Sequence, residues 1–403
     1  MSCLHVVNLG IDNDWDSDRA LDAFFPTRHP GTTQILDSYF AFGHFQAQPG
    51  DGVFVKYRSH PAYLDYLSRY FTVCPEFATA DLEGLGSSRQ FELDCVGRSQ
   101  FEERLALAHP NLVFPQGQAG VAEYQALNRK SYLVELAEKL KFNFPATRVV
   151  TVDELLAYSN SSNIVLKYEV SAGGRGVFVI DEPRPEFIAR LHAQLSPKQR
   201  RGKILIQERV HPERHFYSVC LSGGADLKVF AVEYDRHNSS WCHMPELAPP
   251  PTLAAVARML GDELVRAGYQ GGFGFDGFLS REGVLYPAID LNVRKDKTRF
   301  IQSAAHKLGL NGARYFFIRH RFTGMTAPSF QVFWRQTFAK LDDDRFEIIP
   351  ALCANVFQEK AERRLQEVSF FLVSRDRALL APALFAARDR ARLCLDSSGQ
   401  IKL

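Results

Sequence analysis

Between Gly272 and Arg294, two apolar runs flank a short polar turn, and three oxygen-bearing side chains fall where a hairpin would gather them. Residues 274–279 read as one strand, Ser280-Arg281-Glu282 as the turn, and residues 283–292 as the returning strand. Side chains two apart on a strand share a face, so Asp290 and Asn292 project together and the neighbouring strand can bring Asp276 beside them. The pattern is Asp-x13-Asp-x-Asn, with Arg294 two residues further on. Two carboxylates and an amide oxygen are hard donors of the kind Mg2+ shares with phosphate oxygens; zinc and iron sites favour nitrogen and sulfur. Alone, the trio reads equally well as acidic residues solvated at a hairpin end.

A second constellation lies about a hundred residues earlier. Residues 163–167 (Asn-Ile-Val-Leu-Lys) read as a buried strand ending in Lys167, followed by Ser171-Ala172-Gly173-Gly174-Arg175-Gly176 and a further apolar run over 177–180. Glycines admit positive φ and close backbone approach, so successive N–H groups can cradle phosphate oxygens, and Lys167 adds a point charge for them. The alternative is an ordinary glycine hairpin with a lysine at its base. It is not a P-loop, for no Gly-x4-Gly-Lys-Ser/Thr occurs, nor a dinucleotide fingerprint, which would open a helix.

Residues 203–210 (Lys-Ile-Leu-Ile-Gln-Glu-Arg-Val) form a third apolar strand that turns polar at its end. Chain leaving the sheet at Gln207 to His211 would offer adenine a backbone donor, a backbone acceptor and a side-chain acceptor. Upstream, Lys130 opens a patterned helix through Leu140, and the helix dipole there would favour an anion.

Taken in this order, the motifs resemble the ATP-grasp superfamily of ATP-dependent carboxylate ligases over roughly residues 121–299. One departure is that Asp290 stands where a glutamate is more frequent, which would draw the metal closer to the strand. The resemblance implies that Lys130 and Lys167 bind ATP phosphates and that the loop Ser171, Gly173, Gly174, Arg175 and Gly176 closes over them. It implies an adenine slot from Gln207, Glu208, Arg209 and Val210, and a ribose contact at His215, which reads equally as a surface histidine. Asp276, Asp290 and Asn292 would hold Mg2+ (or Mn2+), and Arg294 would sit at the transferred phosphoryl group. Arg294, Lys295, Lys297 and Arg299 would hold a substrate carboxylate or phosphate, or else form a solvated loop in which only Arg294 turns inward.

The expected activity is ligation of a carboxylate, of an amino acid or peptide, to an amine through an acyl phosphate. The alternatives are a carrier-protein thiol as acceptor, a kinase, or a non-catalytic ATP-binding regulatory module. The fold class is α/β (α+β). An amino-terminal α/β domain over 1–118 resembles the pre-ATP-grasp domain of peptide ligases; the ATP-grasp domain covers 119–305, with a lid at about 145–205 and a metal-binding sheet at about 206–305; and an extension fills 306–403. A net charge of only +2 argues against a nucleic-acid partner. Seven cysteines without a Cys-x-x-Cys pair suit reduced thiols in a cytoplasmic protein, and neither a leader nor a membrane-spanning run is expected. Dimers are frequent among such ligases, so a homodimer is one assembly this reading admits.

Overall fold

The computed structural model describes residues 2–8, 39–56, 58–59, 61–82, 90–115, 119–170, 176–194, 197–220, 227–235, 240–247, 250–310, 314–323, 347–354 and 365–374. Ser171, Gly173, Gly174 and Arg175 lie outside them, as do residues 330–338, whose sequence reads as strand or a mixed segment, and 378–394, whose sequence, rich in Ala, Leu and Arg, reads as a terminal helix and strand.

Three sheets organise the described chain. The first is parallel, in the order β3-β2-β1-β4-β5, from β1 (Ser2–Val6), β2 (Gly52–Phe54), β3 (Glu76–Phe77), β4 (Phe91–Cys95) and β5 (Leu112–Val113). Its strands are short apolar runs, and Leu4, Val6, Val53, Phe54, Phe91 and Leu93 form its core, as expected of a sheet covered on both faces. The second is antiparallel, β6-β9-β7-β8, from β6 (Thr147–Thr151), β7 (Ile164–Tyr168), β8 (Val177–Ile180) and β9 (Lys203–Glu208). Leu166 and Tyr168 turn with Ile204 and Ile206 onto Ile188 of the helix Pro185–Gln194. Strand periodicity therefore sends Lys167, between two inward residues, to the opposite face.

The third sheet has eight strands: β10 (Pro212–Cys220), β11 (Leu227–Asp235), β12 (Ser240–Leu247), β13 (Phe273–Ser280), β14 (Leu285–Asn292), β15 (Arg314–Thr323), β16 (Glu347–Ala354) and β17 (Leu365–Ser374). Their order is β14-β13-β10-β11-β12-β15-β17-β16. Strands on both sides of residue 305 thus share one ladder, joined where β15 pairs with β12. The segment expected as a separate extension continues, in its described strands, the sheet that carries the hairpin; Phe371 packs there on Phe45, with ring centroids 6.4 Å apart.

The helix Lys130–Leu140 turns Leu133 and Leu136 into one core with Leu253, Leu260 and Leu264 of the helix Pro251–Arg266 and with Phe273, Phe275 and Leu291 of β13 and β14. Each such side chain contributes about 1.5–3 kcal/mol on burial, so the hairpin is anchored from behind while its other face turns to the sheet β6-β9-β7-β8.

Candidate functional site

The hairpin β13–β14 forms as its sequence foretells, and its register sets the site. Asp276 lies directly opposite Asp290, and Gly274 opposite Asn292. Between Asp276 and Phe278 the partner moves from Asp290 to Tyr286, so β14 bulges opposite Gly277, which touches the bulged backbone: a Cβ there would lie 2.4 Å from the Pro287 carbonyl oxygen.

Two lysines from other elements reach this pair. Lys130 Nζ lies 2.6 Å from Asp290 Oδ1. Lys167 crosses from β7 in the second sheet, and its Nζ donates to the Ile289 carbonyl at 3.1 Å. Burial lowers the Lys167 ammonium to about 8, against the opposing pull of Asp290. Burial, then the facing charge of Asp290, raises the Asp276 carboxyl to about 8. Asp290 is held low by Lys130 and Lys167 in spite of its burial. Two carboxyl groups and two lysines thus meet where two sheets face one another. Among the described residues no three acidic, histidine or cysteine side chains gather as a metal cluster. The donor set here is two facing carboxylates plus the amide of Asn292, whose mutual repulsion a divalent cation would relieve.

Arg294 is buried and fixed by a residue the sequence reading passed over. Asn128 accepts from Arg294 Nη1 at 2.8 Å and from the Val293 N–H at 2.9 Å, both on Oδ1. Its Nδ2 donates to the carbonyls of Val293 and Tyr124. The only local sign was its place just past the helix Val121–Leu127 and before Lys130. Tyr217, also unforeseen, sits opposite Asp276 on β10 and donates to Asp296 Oδ2 at 2.6 Å. Asp296 in turn caps the helix Lys297–Lys307 through the Arg299 N–H.

Several expectations change. The start of the helix Lys130–Leu140 is not open to phosphate: the Glu169 carbonyl accepts the Lys130 N–H at 3.0 Å, and the Glu169 carboxylate accepts from the Ser131 backbone and hydroxyl. A carboxylate from the chain itself has taken the place the dipole offered an anion. At the end of β9, the Arg209 N–H donates to the Asn163 carbonyl and the His211 carbonyl accepts from the Arg281 N–H, so two of the backbone groups expected at adenine are spent within the protein. Gln207 is buried with Nε2 on Thr147 Oγ1 at 2.9 Å, Glu208 is exposed, Val210 is half-buried, and the Arg209 guanidinium pairs with Asp181. His215 is exposed on β10, its ring 6.2 Å from that of Phe278. Gly176, with φ of 73°, accepts the Tyr168 N–H at 2.7 Å, beside the pairing of β7 with β8. The basic run is not a solvated loop: Lys295 pairs with Asp94, Lys297 lies over the Phe42 ring, and Arg299 lines a cleft with Lys295.

No protein-family model matches the chain. The structure is similar along nearly its whole length to solved enzymes. N5-carboxyaminoimidazole ribonucleotide synthetase in its ADP complex has a TM-score of 0.54 and 13% identity over 99% of this chain and 98% of that one. Phosphoribosylamine–glycine ligase of Thermotoga maritima has a TM-score of 0.56 and 13% identity over 96% of each chain. These are ATP-grasp ligases. This chain has the ATP-grasp fold. In sequence it is 24% identical over 324 residues to the [butirosin acyl-carrier protein]–L-glutamate ligase of Niallia circulans, covering 74% of this chain and 73% of that protein. Among the described residues no helix is long and apolar enough to cross a membrane. The sheet β6-β9-β7-β8 meets the hairpin through Lys167, whose Nζ reaches the Ile289 carbonyl.

Proposed function

We propose that this chain is an ATP-dependent ligase that converts a carboxylate to an acyl phosphate and joins it to an amine, releasing ADP and phosphate. The observation that carries the reading is the meeting of Lys167 from the lid sheet with the register-paired Asp276 and Asp290. A carboxylate is a poor acyl donor because oxide would have to leave, and phosphorylation supplies the leaving group. Lys130 and Lys167, released from Asp290 and the Ile289 carbonyl, bind the phosphates of ATP. Arg294, held by Asn128, stabilises charge on the transferred group. Asp276, Asp290 and Asn292 would hold Mg2+, which offsets polyphosphate charge when bound. The segment from Ser171 to Gly176 covers the phosphates and keeps water from the acyl phosphate, and the chain at Glu208 to Val210 receives adenine. His215 is assigned the ribose on sequence order alone.

The relative from Niallia circulans acts on an acyl-carrier protein and L-glutamate by its name. That name favours a second form of the reading, in which the acceptor or donor rides on a carrier protein.

Lys167→Ala and Asp290→Ala each abolish ATP turnover, a loss of about 100-fold or more, while circular dichroism stays unchanged. Wild-type-like turnover in either variant refutes the assignment. Phosphate release is measured with each amino acid in turn, with and without carrier proteins, and product masses are read directly. A phosphate ester without free phosphate would mean a kinase, and nucleotide binding without turnover a regulatory module.

A further inference from the structure

A cleft of about 280 Å3 opens at the carboxyl end of β4, between the parallel sheet and the chain that follows β14. Its walls include Asp94, Tyr124, Tyr269, Lys295 and Arg299. The carboxyl ends of parallel strands are where such sheets leave a crevice for ligands. Tyr269 feels the charges of Arg299, Arg294 and Asp296, so the cleft adjoins the candidate phosphoryl site. Arg299 and Lys295 face this space together; burial and the neighbouring Arg299 lower the Lys295 ammonium to about 7, and an anion bound between them would hold it charged.

Behind that lining runs a chain of half-buried polar contacts centred on the buried His5. Asp51 accepts the backbone N–H groups of Cys3 at 2.9 Å and Gln48 at 2.8 Å, which fix its carboxylate. Its Oδ2 lies 3.1 Å from His5 Nε2, and His5 Nδ1 lies 2.9 Å from Asp94 Oδ2. The other oxygen of Asp94 pairs with Lys295, whose backbone N–H donates to the Val96 carbonyl at 2.9 Å. His5 is only 6% exposed in its side chain; burial lowers its imidazole, Asp51 pulls the other way, and the charges of Lys295 and Lys307 act on it as well. Placing a histidine between two carboxylates inside a sheet costs desolvation that an apolar side chain would avoid. The array does not end in the core: it ends on a cation at the wall of the cleft.

We propose that His5, gripped by Asp51, is a positioning residue that sets Asp94, and through it sets Lys295 to receive a carboxylate of the substrate in this cleft. The proposal rests on the ligase reading. Lys295 and Arg299 are the residues that touch the substrate, and the amino-terminal sheet thereby takes part in substrate choice through a side chain that never meets it.

The test uses the full chain with Mg-ATP, the twenty proteinogenic amino acids supplied singly, and hydroxylamine to trap the acyl phosphate as a hydroxamate. For whichever acid reacts, His5→Gln and Asp94→Asn each raise its KM tenfold or more, while the KM for ATP stays within twofold. The double variant is no worse than Asp94→Asn alone, since both act through one contact chain. Lys295→Arg recovers part of what Lys295→Met loses. Full additivity of the two variants, a parallel rise in the KM for ATP, or an unchanged KM for the acid overturns the relay. Wild-type protein that traps no hydroxamate from any acid overturns the ligase reading and the relay with it, whereas normal wild-type trapping with an unaffected His5→Gln sinks the relay alone.

Discussion

Asn128→Ala is the substitution that most sharply separates a structural asparagine from one that serves Arg294. Four hydrogen bonds vanish together: two accepted by Oδ1, from Arg294 Nη1 and the Val293 N–H, and two donated by Nδ2 to the carbonyls of Tyr124 and Val293. The Val293 N–H is orphaned in a buried setting, which costs about 1–3 kcal/mol of stability. Arg294 loses a hydrogen bond to a charged group, worth about 1.5–3 kcal/mol. If that bond holds the guanidinium where charge develops, turnover falls by about one to two powers of ten. Asn128→Asp keeps an acceptor for Arg294 and for Val293 while losing the donors, so it retains more turnover than the alanine variant even where its stability is lower. Phosphate release under saturating ATP gives the first quantity and urea denaturation the second. The decisive comparison is with Arg294→Ala: the double variant is expected to be no slower than Arg294→Ala alone. If the two losses multiply, Asn128 does not act through Arg294 and the reasoning fails.

Two further outcomes follow from the hairpin. Gly277→Ala forces a Cβ to within 2.4 Å of the Pro287 carbonyl, against backbone rather than a yielding side chain, so β13 and β14 part beside Asp276 and Asp290. Mn2+ affinity measured by electron paramagnetic resonance should drop at least tenfold, and unchanged affinity would mean the register there is not what gathers the two carboxylates. Asp276, raised to about 8, is largely protonated at neutral pH. A divalent cation favours its ionised form, so binding releases a proton and the apparent affinity grows about tenfold per pH unit as pH climbs toward 8, then levels off. Calorimetry at pH 7 in two buffers of different ionisation heat should register proton release on binding, and Asp276→Asn should remove most of that signal. Identical heats in both buffers would contradict the raised carboxyl.

Much of the molecule was readable before any coordinates because its determinants are local. The hairpin runs from Phe273–Ser280 to Leu285–Asn292 as apolar periodicity and the turn at 280–282 require, and β7 and β8 flank the glycine segment where the strand-loop-strand pattern puts them. The helix Lys130–Leu140 likewise starts at the residue its pattern marks. Which side chains answer one another across the chain was not readable. Asp94 and Lys295 are 201 positions apart, and Asn128 and Arg294 are 166 apart. No periodicity records such pairings, because a polar side chain states only that it needs a partner and never which one. Open helix ends and backbone amides mislead in the same way: their demand for hydrogen bonds is local, and at Glu169 and Asn163 the supply came from remote chain. Sequence alone determined the strands, the turns and the hairpin that brings Asp276 beside Asp290; tertiary packing decided that Lys167 spans two sheets, that Asn128 holds Arg294 and that His5 backs Lys295, since each depends on where separately folded layers come to rest.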